Sequence, residues 1–173
     1  AVGWIGLGNL RGPCSATVAD VGGHDVLGYD ITGKTVSPGQ GMPDTPVASS
    51  IAAVVSHTED VVYVAVQTPH APKFGGELII EEDTPPVDFE YAYLRNAVRT
   101  IAREAEDQRK TVTIVIVSTV LPGTCNRYIR PLLNRYTRLV YHPFFIALGT
   151  VIEDFTQPEF VVLGGHNPPD AHR

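Results

Sequence analysis

The sequence predicts an α/β fold, a doubly wound, mainly parallel sheet with helices on both faces. Three observations carry that expectation. Short apolar runs alternate with helical stretches along the chain. Two of the runs, 61–66 and 111–117, are apolar or β-branched without the polar alternation of a half-exposed strand, as a parallel strand buried on both faces requires. The first run breaks directly into Gly6-Leu7-Gly8, a tight strand-to-helix turn. With 173 residues, 43% hydrophobic and 18% charged, the chain can bury a sizeable core. One domain over 1–165 is expected, followed by a tail at 166–173.

Residues 1–7 read as the first strand, 13–21 as a helix ended by Gly22-Gly23, and 24–29 as the second strand. The segment 31–46 is rich in Gly, Pro, Thr and Ser and reads as a loop before a short apolar helix at 47–55. The third strand, 61–66, ends at Gln67-Thr68-Pro69. An acidic, Pro-rich stretch over 70–86 reads as an exposed excursion or flap. Asp88 is expected to cap a helix running to about Asp107, with Tyr91, Leu94, Val98 and Ile101 on its buried face. Strand 111–117 then delivers Ser118-Thr119 at its carboxyl end. Pro122-Gly123-Thr124 open a helix to Tyr136, the Arg-rich stretch 127–138 forms a solvated helix face, and strands follow near 139–141 and 160–163.

Charge and composition exclude several classes. A formal charge of −6 argues against a nucleic-acid surface, which needs clustered Lys and Arg. No apolar run approaches membrane-spanning length. The chain enters its first strand without a charged leader, so a cytoplasmic location is expected. Cys14 and Cys125 make neither a metal pattern nor a disulfide framework and are expected as small buried hydrophobes. The six histidines show no pair at metal-ligand spacing, so no metal is expected.

The chemistry concentrates where such sheets bind ligands, outside the carboxyl ends of the strands. Gly6 and Gly8 let the backbone turn sharply and approach a pyrophosphate, and the following helix offers it unpaired N–H groups. Asp30, ending the second strand, stands where an acid accepts the adenosine ribose hydroxyls. NAD is therefore the expected cofactor, with Gly6, Gly8, Asn9, Leu10 and Asp30 as its candidate contacts, and the strand ends at Gln67 to Pro69 and Ser118 to Thr119 are expected to converge on the same crevice. The usual third glycine of this Rossmann-like turn falls at position 11, where the chain has Arg11 followed by Gly12. Burying an unpaired guanidinium is costly, so Arg11 is expected to project outward.

Five phrases occur in order: Ile5-Gly6-Leu7-Gly8 with Pro13; Gly28-Tyr29-Asp30-Ile31; Val64-Ala65-Val66 with Thr68-Pro69; Ser118-Thr119-Val120 with Pro122-Gly123-Thr124; and Gly149-Thr150-Val151-Ile152-Glu153-Asp154-Phe155 with Pro158 and Gly164-Gly165. Together they resemble the amino-terminal half of the UDP-glucose/GDP-mannose dehydrogenase family. The resemblance implies NAD-dependent, four-electron oxidation of a sugar nucleotide's primary alcohol to a carboxylate through a cysteine-bound thiohemiacetal and thioester. It also implies that Thr68 and Pro69 line the cofactor and that Thr119 reaches the catalytic water and the nicotinamide region. As a strand-end hydroxyl, Thr119 has a second reading, the satisfaction of local backbone groups.

The departures from the family limit this expectation. Where members carry Asn-Pro-Glu-Phe-Leu-Arg-Glu-Gly, this chain has His142-Pro143-Phe144-Phe145-Ile146-Ala147-Leu148-Gly149, so Phe144 and Leu148 replace the two glutamates of the sugar site. Neither can exchange a proton. The family's Lys, Asn and nucleophilic Cys belong to central and carboxyl-terminal segments beyond these residues. Two classes remain: the NAD-binding part of a nucleotide-sugar dehydrogenase, incomplete or inactive alone, and a catalytically dead nucleotide-binding or structural subunit. The partners implied are a carboxyl-half subunit or a second copy of the chain, and the sugar nucleotide is left open.

Overall fold

The computed structural model describes residues 1–8, 11–33, 44–74, 85–146 and 149–165, with backbone alone for Arg11 and Lys73. The expected cofactor contacts at Asn9 and Leu10, the direction of the Arg11 side chain, the middle of the 70–86 excursion, Leu148 and the 166–173 tail lie outside the described residues.

Six strands, β1 (Val2–Ile5), β2 (Val26–Tyr29), β3 (Val61–Val64), β4 (Val112–Ile116), β5 (Thr137–Tyr141) and β6 (Gly164–Gly165), form one sheet in the order β2-β1-β3-β4-β5-β6. The first five are parallel and β6 is antiparallel. Every residue of β4 is buried, as its β-branched composition requires of a strand covered on both faces. On one face, α2 (Ile51–His57) and α3 (Ala92–Asp107) pack Val54, Val55, Leu94, Val98 and Ile101 against Val62, Val64, Ile114 and Ile116. On the other, α1 (Arg11–Asp20) and α4 (Val151–Thr156) cover Trp4, Leu7, Val26 and Ala65. The doubly wound architecture expected from the sequence is the observed one.

Several boundaries differ from expectation, each for a local reason. The second helix begins at Ile51 rather than 47, because the Ser50 hydroxyl accepts the Ala53 N–H at 3.2 Å and caps it there. Val47 instead bridges to Gly28 at the outer edge of β2, where Gly28 N–H donates to the Pro46 carbonyl and Ala48 N–H to the Gly28 carbonyl. Asp88 does not cap α3. Its Oδ1 accepts the Phe89 N–H and the Tyr91 hydroxyl, while Glu90 accepts the Ala92 N–H where the helix starts.

The long helix expected to reach Tyr136 is replaced by a π-helical turn, Cys125–Ile129, and a 3₁₀ turn, Arg130–Leu132. Pro131 explains the break, since its ring would collide with the preceding α-helical turn. The Arg-rich stretch is therefore not one helix face; Arg127 and Arg135 instead lie over the rings of Tyr128 and Tyr136. Residues 160–163 are exposed and unpaired as strand, and only Gly164–Gly165 joins β5. The short α4 was not anticipated.

Candidate cofactor site

The sheet order reverses between β1 and β3, the switch point outside whose carboxyl ends such sheets bind ligands. Gly6 makes the turn after β1. Its φ of +94° favours glycine, and an added Cβ would lie 2.5 Å from the Ala65 carbonyl oxygen, so backbone from β1 and β3 meets with no room for a side chain. Gly8 is the converse: a Cβ there meets nothing within 4 Å among the described residues. Gly12 N–H donates to the Gly8 carbonyl at 2.9 Å, so the hydrogen bonding of α1 starts from the turn itself. Open backbone beside a helix amino terminus fits a pyrophosphate, which needs close approach and unpaired N–H groups.

Asp30 is held at the same place. Its Oδ2 accepts the Leu7 N–H at 2.9 Å, and its Oδ1 accepts the backbone N–H and hydroxyl of Thr32 at 2.9 and 2.7 Å. The carboxylate is thus oriented beside the glycine turn. Glycine is also needed at position 28, where a Cβ would strike the Leu7 side chain at 2.8 Å.

The loops after β3 and β4 are latched to one another. Val117 N–H donates to the Val64 carbonyl, the Ser118 hydroxyl to the Val66 carbonyl at 2.7 Å, and the Thr68 hydroxyl to the Thr119 carbonyl at 2.7 Å. Thr68 and Thr119 therefore meet, as expected, while Pro69 accepts the Glu90 N–H through its carbonyl. The local hydroxyl-to-backbone role belongs to buried Ser118. Thr119 is exposed, and its hydroxyl makes no hydrogen bond among the described residues.

The Tyr91 hydroxyl closes this wall from the α3 side. It donates to Asp88 Oδ1 at 2.6 Å and accepts the Leu121 N–H at 3.3 Å and the Thr124 hydroxyl at 3.1 Å. Burial, reinforced by Asp88, holds its pKa above the ordinary tyrosine value, so it remains a donor.

Beyond β5 the chemistry thins. Phe144 joins an aromatic cluster, with ring centroids 4.9 Å from Phe155, 4.8 Å from His142 and 6.5 Å from Trp4. Burial pushes the His142 imidazole below its ordinary pKa. Cys14 is buried, as expected of a small hydrophobe. Cys125 is half-buried in the wall of a cavity of about 490 Å³, and burial pushes its thiol up, against the opposing pull of Arg130. That is the reverse of an activated nucleophile. Among the described residues, no group of three His, Cys, Asp or Glu side chains is placed to hold a metal ion.

Sequence reasoning missed Thr32, Ser118 and the Tyr91 hydroxyl. Thr32 was open to discovery, since an Asp accepting bonds from the residue two positions on is a recognisable turn. Tyr91 was read for its apolar face alone, although Asp88 stands three residues before it.

The model of the UDP-glucose/GDP-mannose dehydrogenase family, NAD binding domain, matches residues 45–173. The chain belongs to this family. It is similar to the GDP-mannose 6-dehydrogenase of Pseudomonas putida, with 28% identity over 92% of this chain and 39% of that protein. Two solved structures share the fold. GDP-mannose dehydrogenase from Pseudomonas aeruginosa, crystallised as a ternary complex, aligns with a TM-score of 0.79 at 22% identity, covering 99% of this chain and 42% of that one. UDP-glucose dehydrogenase from the archaeon Pyrobaculum islandicum gives 0.78 at 23%, with the same coverage. The chain thus spans about two fifths of the length of the family members it matches. It carries the family's NAD-binding domain, and its cofactor is NAD. The family-model match begins at residue 45, so the glycine turn and Asp30 rest on their own geometry and on the full-chain similarity. Among the described residues, no helix is long and apolar enough to cross a membrane.

Proposed function

We propose that the chain binds NAD along the carboxyl ends of β2, β1, β3 and β4, as the cofactor half of a nucleotide-sugar dehydrogenase whose chemistry is completed by a further polypeptide region. Gly6 and Gly8 form the pyrophosphate turn, with Asn9 and Leu10 as further expected contacts outside the described residues, Asp30 takes the ribose hydroxyls, and Thr68, Pro69 and Thr119 line the other half. The observation that carries this reading is the open turn at Gly8 with the carboxylate of Asp30 tied to the Leu7 N–H next to it. The completing region is a carboxyl-half polypeptide, covalently continuous or separate, with a second copy of the chain as the alternative. Its need is supported by the exposed apolar side chains of Leu121, Phe145, Phe160, Val161, Val162 and Leu163. Titration calorimetry with NAD and NADP tests the cofactor half: NAD should bind and NADP more weakly, because Asp30 repels a 2′-phosphate.

One observation favours a second reading, a family-derived nucleotide-binding or structural subunit without catalysis. Phe144, at a position where the family resemblance places a glutamate, is absorbed into the aromatic cluster with Trp4 and Phe155. Turnover measured with and without a carboxyl-half polypeptide separates the two readings.

A further inference from the structure

Resting on the cofactor reading, we propose that the Tyr91 hydroxyl is a positioning group for the nicotinamide half of the NAD site. The sheet order supplies the first step. Asp30 ends β2, on one side of β1, so a dinucleotide whose adenosine lies there and whose pyrophosphate crosses the β1 turn must continue the other way, over β3 and β4. Adjacent strands stand about 4.8 Å apart. The far half of the cofactor therefore reaches the segment that follows β4, which begins with Ser118 and Thr119.

That segment leaves the sheet and is fixed at two places. At its start, Thr68 donates to the Thr119 carbonyl and Ser118 to the Val66 carbonyl, which tie it to the loop after β3. Two residues later, the Leu121 N–H and the Thr124 hydroxyl both donate to the Tyr91 oxygen, which in turn donates to Asp88. Tyr91 is 5% exposed and Thr124 3% exposed, so water does not substitute freely for the bond between them, while Asp88 and Leu121 lie at the surface. The loop after β3 is tied to the same element, through the Glu90 N–H on the Pro69 carbonyl. Both walls of this half of the crevice hang from residues 88–91. The turn at Gly6 and the carboxylate of Asp30 share none of these bonds.

This separation gives the test. In the full chain, Tyr91→Phe removes one oxygen and keeps the ring that packs against Phe89 and Tyr128. Binding of NAD and of ADP-ribose, which has no nicotinamide, is measured by calorimetry for each variant. Tyr91→Phe should weaken NAD by about three- to tenfold, as loss of a buried hydrogen-bond hub implies, with ADP-ribose unchanged. Thr124→Val should act in the same direction. Asp88→Asn, which keeps the acceptor oxygen, should retain NAD affinity where Asp88→Ala does not. Should Tyr91→Phe fail to fold, the Asp88 and Thr124 variants carry the same comparison. Equal weakening of both ligands, or no change in either, overturns the proposal and leaves Tyr91 with a structural role alone. If the unsubstituted chain binds neither ligand, the cofactor reading itself falls and takes the proposal with it.

Discussion

Gly6→Ala and Gly8→Ala should separate folding from binding, although the two positions are only one residue apart. At position 6, φ is +94° and the new methyl would stand 2.5 Å from the Ala65 carbonyl oxygen and 2.9 Å from its carbon. A Cβ-bearing residue at left-handed φ costs about 1–2 kcal/mol, and forcing a methyl against packed backbone costs about 1–3 kcal/mol more. On the order of 3 kcal/mol is therefore expected, or about 6–12 °C in Tm for a domain of this size. At position 8 a Cβ meets nothing within 4 Å among the described residues, so Tm should stay within about 2 °C of the parent. The methyl would instead occupy the space a pyrophosphate needs. Loss of a single charge-assisted N–H bond, about 1.5–3 kcal/mol, predicts at least about tenfold weaker NAD binding. Circular dichroism melts and calorimetry measure the two quantities. A Gly8→Ala protein that melts as low as Gly6→Ala, or that binds NAD undiminished, would refute the reasoning.

The remaining predictions concern charge and chemistry. Asp30→Asn should narrow the preference for NAD over NADP, since it removes the charge opposing a 2′-phosphate; calorimetry with both nucleotides reads the ratio. It should also lower Tm slightly, because the Leu7 N–H keeps a weaker, neutral acceptor. His142 is neutral when folded at pH values where the unfolded imidazole already takes a proton, near 6.5. The stability that its neutral form supports is full above that value and is lost as the pH falls through the lower folded pKa, so His142→Phe should flatten the acid limb of a Tm-versus-pH curve. The isolated chain should form no NADH from UDP-glucose, UDP-N-acetyl sugars or GDP-mannose; turnover abolished by Thr119→Ala would show that the crevice works with another base.

What the sequence disclosed followed from how each element is specified. Strands such as β4 and the buried stripe of α3, Leu94, Val98 and Ile101, are written as composition and period, so both were legible. Contacts between distant segments were not. The Ser50 cap was hidden by the apolar residues before it, and Pro131 was passed over within a run that otherwise looked helical. At the site, Gly6, Asp30, Thr68 and Thr119 were named because each ends or follows a strand. Which hydroxyl does what was settled by geometry: Ser118 satisfies the backbone and Thr119 does not. Tyr91 and Thr124 are 33 residues apart, and only the fold brings their oxygens together.

Two kinds of residue make up this site, and they bear on function unequally. Gly6 is demanded by packing, because its positive φ and the Ala65 carbonyl leave no place for a side chain, and at Gly28 a Cβ would press on the buried Leu7 side chain. Packing accounts for both glycines whatever the chain binds, so neither speaks for the cofactor. Gly8 and Thr119 are different. Among the described residues, nothing within 4 Å requires a glycine at position 8 and the Thr119 hydroxyl makes no hydrogen bond, so their packing asks for neither of them. Stability has no use for an empty turn beside a helix terminus, whereas a phosphate does. Gly8 and Thr119 therefore speak for a ligand beside the oriented carboxylate of Asp30, and the Phe144 position shows the opposite case, a side chain drawn into the aromatic cluster. The turn after β1 is shaped largely by backbone, and the segment after β5 by packed side chains. A single substitution can erase side-chain chemistry while leaving the fold, and the NAD site, in place.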